Sequence, residues 1–546
     1  MSNPAPEPMK IFQYIAIISL AGLALCGCTV GPNYKKPEAK LEKSYGELGT
    51  NADASTRTNA LTQIKPVADW WTTFHDPELN HLIGEAIRKN YDLQIATARI
   101  RQSRYQRSIS AADLFPEVNA DAGYSHARGS KNVVLPLGSA SGSSGSTPMT
   151  PKAAPQAVQN SGSGTSSSGS GSSTSSSGSP EPLSPFGEGG LPGETTDLYQ
   201  IGFDASWELD VFGGTRRKLQ AATAELQSAV EYRRNVIVTL LAEVARNYLE
   251  LRGAQERLAV ARENLAAQTE LLELTQSQRK AGLTDDLNVT RAAGQAAVTR
   301  STIPPLESSV RRSIHSLSTL VAESPTALSA ELETNAPLPA MPPEVPVGLP
   351  SELLRQRPDI RRAEREVASA SALVGSAKAD LFPKFYLTGN VGLDSSSLSQ
   401  LFNWESRYFM ISPTVSWPIF DAGKIISNIA LQKANQQEAV LDYRNTILKA
   451  VQEVEDSLVT YTGDQTRRDA LLEAYKQYRI ATRLARDQYN RGIVDFLNVL
   501  NAQKNELAAQ DEKVQSDEAA AVDLVALYKA LGGGWQAVDK PTQKKP

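Results

Sequence analysis

Apolar and polar positions along this chain follow two periods in turn, and the switches between them occur twice in the same order. From about Asp92 to Leu114 the pattern is helical. It stops at Pro116, because the residue before a proline is driven out of helical geometry. Alternation follows at once, with Val118, Ala120, Ala122 and Tyr124 on one face, and later Tyr199, Ile201, Phe203, Ala205 and Trp207. Period two over roughly eight to eleven residues predicts strands, of a length that suits a membrane-crossing β-strand. Gly213-Gly214 then breaks the chain, and a very long helix is predicted from about Thr215 to Lys280. Its seam reads Val230, Ile237, Leu241, Val244, Tyr248, Leu251, Leu258, Leu265 and Leu272, a heptad pattern. At about 1.5 Å per residue such a helix reaches roughly 100 Å.

The same programme returns. Ala112-Asp113-Leu114-Phe115-Pro116 recurs as Ala379-Asp380-Leu381-Phe382-Pro383, closing a second helical stretch from about Ile360 to Leu381. Phe385, Leu387, Gly389, Val391 and Leu393 alternate, then Phe409, Ile411, Val415 and Trp417. Gly423 precedes a second long helix, with Ile447, Val451, Val454, Leu458, Tyr461, Leu472 and Tyr475 along its seam. In each copy a glycine turn (Ala281-Gly282, Arg491-Gly492) reverses the chain into a further helix. Ser206-Trp207, Glu243-Val244, Gly253 and the stretch Gly282–Val289 all return 210 positions later, as 417 minus 207 and 492 minus 282 show. The proline motif returns after 267 (380 minus 113), so the first copy carries 57 extra residues between Pro116 and Ser206. That interval holds the Ser/Gly/Pro-rich segment 129–196, whose composition cannot bury a core and reads as a loop. Internal duplication is the expectation.

Composition narrows the chemistry. The chain has 546 residues, a net charge of −4 and charged side chains spread along helical segments, which argues against a nucleic-acid partner. His75, His81, His126 and His315 lie far apart, with no metal-ligand spacing, so neither a metal nor another cofactor is expected. No Ser/His/Asp or Cys/His constellation suggests an enzyme.

Both cysteines, Cys26 and Cys28, sit at the end of Ile11–Leu25, an apolar run with the length of a signal-peptide core. Met9-Lys10 would begin a more typical signal than Met1. Leu25-Cys26-Gly27-Cys28 resembles a bacterial lipobox, with Cys28 as the lipid-attachment residue. Thr29 after it implies sorting to the outer membrane, where an acyl anchor tethers without spanning. The remaining chain has no long apolar run, so a membrane crossing would need strands closed into a barrel.

The expected organisation is a lipoprotein signal (1–27), a lipid-anchored segment (28–75), a first repeat (76–325) interrupted by the loop 129–196, a linker (326–350), a second repeat (351–533) and a C-terminal tail (534–546). Two strands per repeat make four per chain. Four strands cannot enclose even a filled interior, and open edges are not tolerated in lipid. Several chains must share a barrel, and three would supply twelve strands. The fold class is an α+β membrane protein: a trimeric 12-stranded barrel continuing into a long α-helical coiled-coil barrel.

The order of lipobox, helix, strand–loop–strand and long helical hairpin, repeated, resembles outer-membrane efflux proteins of the TolC and OprM type, in particular the NodT-type branch. Cys28-Thr29-Val30-Gly31-Pro32-Asn33-Tyr34-Lys35-Lys36-Pro37 carries the resemblance. So do Trp70-Trp71…Phe74…Asp76-Pro77-Glu78-Leu79, Leu353-Leu354…Arg357-Pro358-Asp359-Ile360 and Leu531-Gly532-Gly533-Gly534-Trp535. The resemblance implies a homotrimeric exit duct in outer-membrane lipid that works with a periplasmic adaptor and an inner-membrane pump of the RND type. Such a duct exports drugs or other small toxic molecules. It further implies that the glycine turns, Gly282-Leu283-Thr284 and Gly492-Ile493-Val494, form the adaptor-contacting tip. The family's acidic gate positions fall on Asn498 and Asn501, its arginine on Lys504, and its tyrosine on Tyr489. This sequence departs from a purely ionic lock, since asparagine offers Lys504 no charge. Asp285, Asp286 and Asp495 are the remaining charged candidates, with helix capping open as the other role for Asp285 and Asp495. A duct for type I secretion or metal-ion efflux, and a non-pore coiled-coil scaffold lipoprotein, are the alternative readings.

Overall fold

The computed structural model describes residues 29–38, 45–46, 61–62, 68–128, 195–342, 345–346 and 350–539. The signal segment, Cys28 and the Ser/Gly-rich loop up to residue 194 lie outside them. The described chain forms two compact units. One comprises Phe115–Leu209 and Phe385–Ser416, and the other holds the rest.

The larger unit is helical. Its elements are α1 (Pro77–Lys89), α2 (Tyr91–Ala112), α3 (Gly214–Lys280), α4 (Asp286–Leu320), α5 (Pro358–Ala379), α6 (Lys424–Asn490) and α7 (Phe496–Ala530). The duplication holds to the residue. α5 starts and ends 267 positions after α2, and α6 and α7 start and end 210 after α3 and α4. Local punctuation explains this: Gly213 and Gly423 take left-handed φ values of 80° and 83° immediately before α3 and α6. The core gathers where α1 and the turn Trp70–Phe74 meet α3 and α7. Leu79, Leu82 and Ile83 are buried with Ile237, Leu241, Val244 and Tyr248, and Trp70 stacks on Tyr528 at 5.0 Å. Asp76 caps α1 by accepting from the Glu78 and Leu79 amides, and its other oxygen accepts from the Tyr248 hydroxyl at 2.8 Å.

Equivalent positions of the two copies are packed differently. α3 packs on α2 and α4 of its own repeat and on α5 and α7 of the other, whereas α6 packs on α5 and α7 of its own repeat. Val238 of α3 is 5% exposed and its equivalent Leu448 of α6 is 69% exposed; for Leu249 and Val459 the values are 0% and 50%.

Four expectations need correction. The predicted α3 seam is buried from Ile237 to Leu258, but Leu265 and Leu272 are only half-buried. Toward the turn the buried stripe is instead Ala254, Ala261, Gln268 and Thr275, spaced by seven on the neighbouring flank. A helix packed on both sides has two seams, and small residues allow the closer approach. Residues 326–350 are more than a linker: Ser329–Leu332 is a helical turn with Leu332 fully buried, and Val345–Pro346 pairs in parallel with Leu61–Thr62. Residues 534–539 are packed rather than a tail, since Trp535 donates from Nε1 to the Gln356 carbonyl at 2.9 Å. The loop also ends earlier than residue 196, because a strand begins at Thr195.

The smaller unit is a four-stranded sheet of β1 (Glu117–Arg128), β2 (Thr195–Leu209), β3 (Lys384–Ser395) and β4 (Arg407–Ser416), in that order across the sheet. β3 repeats β1 at 267 positions. β2 pairs antiparallel with both β1 and β3, with Asn119, Asp204 and Asn390 aligned in one row and Ala120, Phe203 and Val391 in the next. Since side chains alternate along a strand, this register puts Val118, Ala120, Ile201, Phe203, Leu387 and Val391 on one face, and Ile411 of β4 joins them, lying 4.0 Å from where a Cβ on Gly389 would stand. Glu117, Asp121, Asp204, Glu208 and Asp394 fall on the other. At Gly202 and Gly392, paired across β2 and β3, the missing side chains make room for the Tyr408 ring, whose hydroxyl accepts from Gln200 at 2.9 Å.

Candidate functional site: the two helical turns

Both long helices end in the same backbone device. At the first turn, Gly282 takes φ 74° and the Leu283 amide reaches back to the Gln278 carbonyl at 2.8 Å. At the second, Gly492 takes φ 71° and the Ile493 amide reaches the Gln488 carbonyl at 2.9 Å. This is the left-handed helix stop for which glycine is the least strained residue. Leu283 and Ile493 are exposed at the two tips, while Thr284 and Val494 beside them are half-buried.

The side chains around the turns differ. Asp285 caps α4 by accepting from the Asn288 amide at 3.0 Å, and Asn288 donates in turn to the Thr284 hydroxyl at 3.1 Å. Asp495 occupies the equivalent place but makes no side-chain cap; only its carbonyl accepts, from the Asn498 amide. Capping therefore accounts for Asp285 and leaves the Asp495 carboxylate exposed. Asp286 takes a two-pronged contact from Arg279, at 2.7 and 2.9 Å, that ties α4 to α3. Arg279 holds the Asp286 carboxyl below the usual carboxylate range.

Advancing that pair by 210 positions gives Tyr489 and Phe496, whose rings meet edge to face at 5.7 Å. An ion pair closes the first hairpin, and an aromatic pair closes the second. The Tyr489 hydroxyl also donates to Gln278 Oε1 at 2.8 Å, joining α6 to α3 of the other repeat. Asn498, Asn501 and Lys504 are exposed along one side of α7. Among the described residues, no hydrogen bond or ion pair joins Lys504, Asn501 or Asp495 to Asp285, Asp286 or Tyr489. Gln278, Arg279 and Phe496 were missed from sequence. The available signal was an acid and a base seven residues apart across a glycine turn.

Near the N-terminus, Thr29 is the first described residue and follows Cys28 directly. It packs against Gly213, and the Val30 amide donates to the Phe212 carbonyl at 3.0 Å. The buried Arg217 donates to the carbonyls of Val30 and Gly31 and to Asn33 Oδ1. Gly31, at φ 98°, crosses Gly375 so closely that a Cβ on it would lie 2.5 Å from the Gly375 Cα. The segment after the cysteine is thus clamped where α3 begins.

Among the described residues, one group brings metal-type ligand atoms together: Glu78, His81 and Glu331 lie within 4.8 Å of one another. Burial and the neighbouring Glu331 raise the Glu78 carboxyl. No described helix is long and apolar enough to cross a membrane.

The profile of the outer membrane efflux protein family matches residues 82–323 and 349–533. The chain is 28% identical to the cation efflux system protein CusC of Escherichia coli O6:H1, over 97% of this chain and 100% of that protein. It is 30% identical to the pyoverdine export outer membrane protein OpmQ of Pseudomonas aeruginosa, over 97% of this chain and 98% of that protein. A solved structure of the outer-membrane channel OprN superposes with a TM-score of 0.76 at 31% identity, covering 93% of this chain and 100% of OprN. The helix-rich plan with its four-strand sheet and the matched repeats agree: the chain belongs to the outer membrane efflux protein family.

Proposed function

We propose that three copies of this outer-membrane channel assemble into one exit duct, with a twelve-stranded barrel and a ring of twelve long helices. The observation that carries the reading is the unequal packing of equivalent positions. Leu448 and Val459 are apolar and exposed where Val238 and Leu249 are buried. α3 also packs on α5 and α7 of the other repeat, whereas α6 packs on helices of its own. The next copy's α2 and α4, equivalent to α5 and α7, are the natural cover, and such head-to-tail contact closes into a ring. The sheet asks for the same thing: among the described residues β1 and β4 each have one neighbour only, and lipid does not tolerate open edges.

Cys28 carries the lipid, and the strap from Thr29 to Asn33 holds it at the head of α3. The turns at Gly282-Leu283-Thr284 and Gly492-Ile493-Val494 meet a periplasmic adaptor, which links the duct to an inner-membrane pump of the RND type. Tyr489, Asp495, Asn498, Asn501, Lys504, Asp285 and Asp286 shape the aperture there. With Asn498 and Asn501 uncharged, hydrogen bonds such as Tyr489–Gln278 hold it more than an ionic lock does. The cargo is a drug or another small toxic molecule, selected by the pump rather than by the duct. A strain lacking this gene should become more susceptible to some of a panel of antibiotics, dyes and metals, and the purified protein should form discrete pores in planar bilayers. A protein that inserts no pore would overturn the reading.

A further inference from the structure

α1 carries Glu78 and His81 three positions apart, a spacing that puts both side chains on one face of a helix. Their third neighbour is Glu331, from the helical turn Ser329–Leu332 in the segment between the repeats. One ligand-type atom from each of the three lies within 4.8 Å of the other two. Atoms bound to one zinc-class ion at about 2.0–2.2 Å lie no more than roughly 4.4 Å apart, so a small side-chain movement closes the set. The elements that present them are anchored, since Leu79 and Leu332, next in sequence to the two glutamates, are fully buried.

The three side chains are accessible and uncommitted. The His81 side chain is 54% exposed, and Glu331 is exposed. Among the described residues neither Glu78 nor Glu331 forms an ion pair, although α1 carries cations of its own. Arg88 and Lys89 go to Glu85 instead, and Lys89 also to Glu323. Arg252 acts on Glu78 only through space, because its Nη1 is held by Gln255 and the Thr334 carbonyl. His81 Nε2 lies 4.0 Å from Glu85, too far for a hydrogen bond. Two carboxylates drawn together have no donor between them, and the contact asks for a proton or a shared cation. The imidazole beside them favours the cation.

We propose that Glu78, His81 and Glu331 bind a divalent cation of the zinc class, with water completing the shell. One imidazole and two carboxylates suit zinc, whereas magnesium and calcium take oxygen ligands and copper(I) prefers sulfur. The ion clips the turn Ser329–Leu332, and with it the connection between the repeats, to α1. Glu331 is so distant in sequence from the other two that local spacing does not reveal the set. The site uses none of the aperture residues and does not depend on the trimer reading.

The test is calorimetric titration of the purified, untagged full-length protein, stripped with EDTA and held in detergent at neutral pH. Zinc chloride is the probe, with magnesium and calcium chloride run separately. Zinc should bind saturably at one per chain and raise the melting temperature. His81→Ala and Glu331→Gln, both exposed changes, should each weaken that binding by more than about tenfold, with the metal-free melting temperature unaltered. His126→Ala removes another histidine that lies beside a carboxylate, Asp197, and should leave zinc binding unchanged. Absence of saturable zinc binding, or binding undiminished in either His81→Ala or Glu331→Gln, would overturn the proposal. Loss of the zinc in His126→Ala would overturn it too, by placing the ion elsewhere. Calcium or magnesium binding as tightly as zinc would overturn the choice of cation.

Discussion

The Tyr489 hydroxyl donates to Gln278 Oε1 across the two repeats, at 2.8 Å and 211 positions apart in sequence. Among the described residues it is the side-chain hydrogen bond that links the end of α6 to the end of α3. A neutral hydrogen bond of this kind contributes about 0.5–1.5 kcal/mol net, enough to shift a two-state tip several-fold without unfolding it. Tyr489→Phe removes the donor and keeps the edge-to-face contact with Phe496. Single-channel recording should show an open probability raised by roughly two- to tenfold. If Tyr489→Phe records like wild type, the hydroxyl does not hold the aperture.

The boundaries of the long helices were readable because they rest on local punctuation: Pro116 and Pro383 stop helices, and Gly213, Gly282, Gly423 and Gly492 adopt left-handed φ or mark breaks. What was not readable depends on neighbours. Leu265 and Leu272 look like a core seam, yet Gln268 and Thr275 are the buried residues there, because the helix packs on two sides. Asp285 and Asp495 occupy one sequence position in the two repeats, but only the first caps with its side chain. The Tyr489–Gln278 bond joins residues that no local pattern relates.

The two hairpins should respond differently to salt. Arg279–Asp286 closes the first across exposed surface, where added ions screen attraction. The aromatic pair Tyr489–Phe496 carries no charge. Hydrogen exchange at Leu283 should quicken between low salt and 1 M salt, while Ile493 stays constant. The pH dependence has a definite sign: Asp286 is lowered by Arg279, so the contact is present above the ordinary aspartate range and is lost as pH falls through the lowered value. Arg279→Ala should remove both responses.

The proposed ring makes a geometric prediction. A Cβ on Gly214 would lie 3.1 Å from the Ala379 Cβ inside the chain. Moving each residue to its equivalent in the other repeat gives Lys424 and Ala112, which the ring brings together between adjacent copies. The only natural cysteines are Cys26 and Cys28, so the double variant Ala112→Cys/Lys424→Cys has a clean background. Cβ atoms this close are within reach of a disulfide after slight relaxation. Oxidation should give covalent oligomers up to trimers on a denaturing gel, and each single variant should give none at these sites. Monomer alone from the oxidised double variant would count against head-to-tail closure.

Stability should also depend on pH through α7. Burial, against the pull of Arg257, pushes the Glu518 carboxyl up to about 7, where it packs beside Gly253. Burial and the adjacent Asp464 raise Asp523. For an acid raised by folding, the stabilising contribution is complete below the unfolded value near 4 and is lost as pH rises through the folded value. The melting temperature should therefore fall between about pH 4 and pH 7 and level off above that. Glu518→Gln and Asp523→Asn remove the charge that must form in that window. Each should flatten the fall and raise the melting temperature at pH 8 relative to wild type, with little change at about pH 4. A fall that persists unchanged in the combined variant would mean that other groups titrate there, and that Glu518 and Asp523 ionise at no cost to the fold.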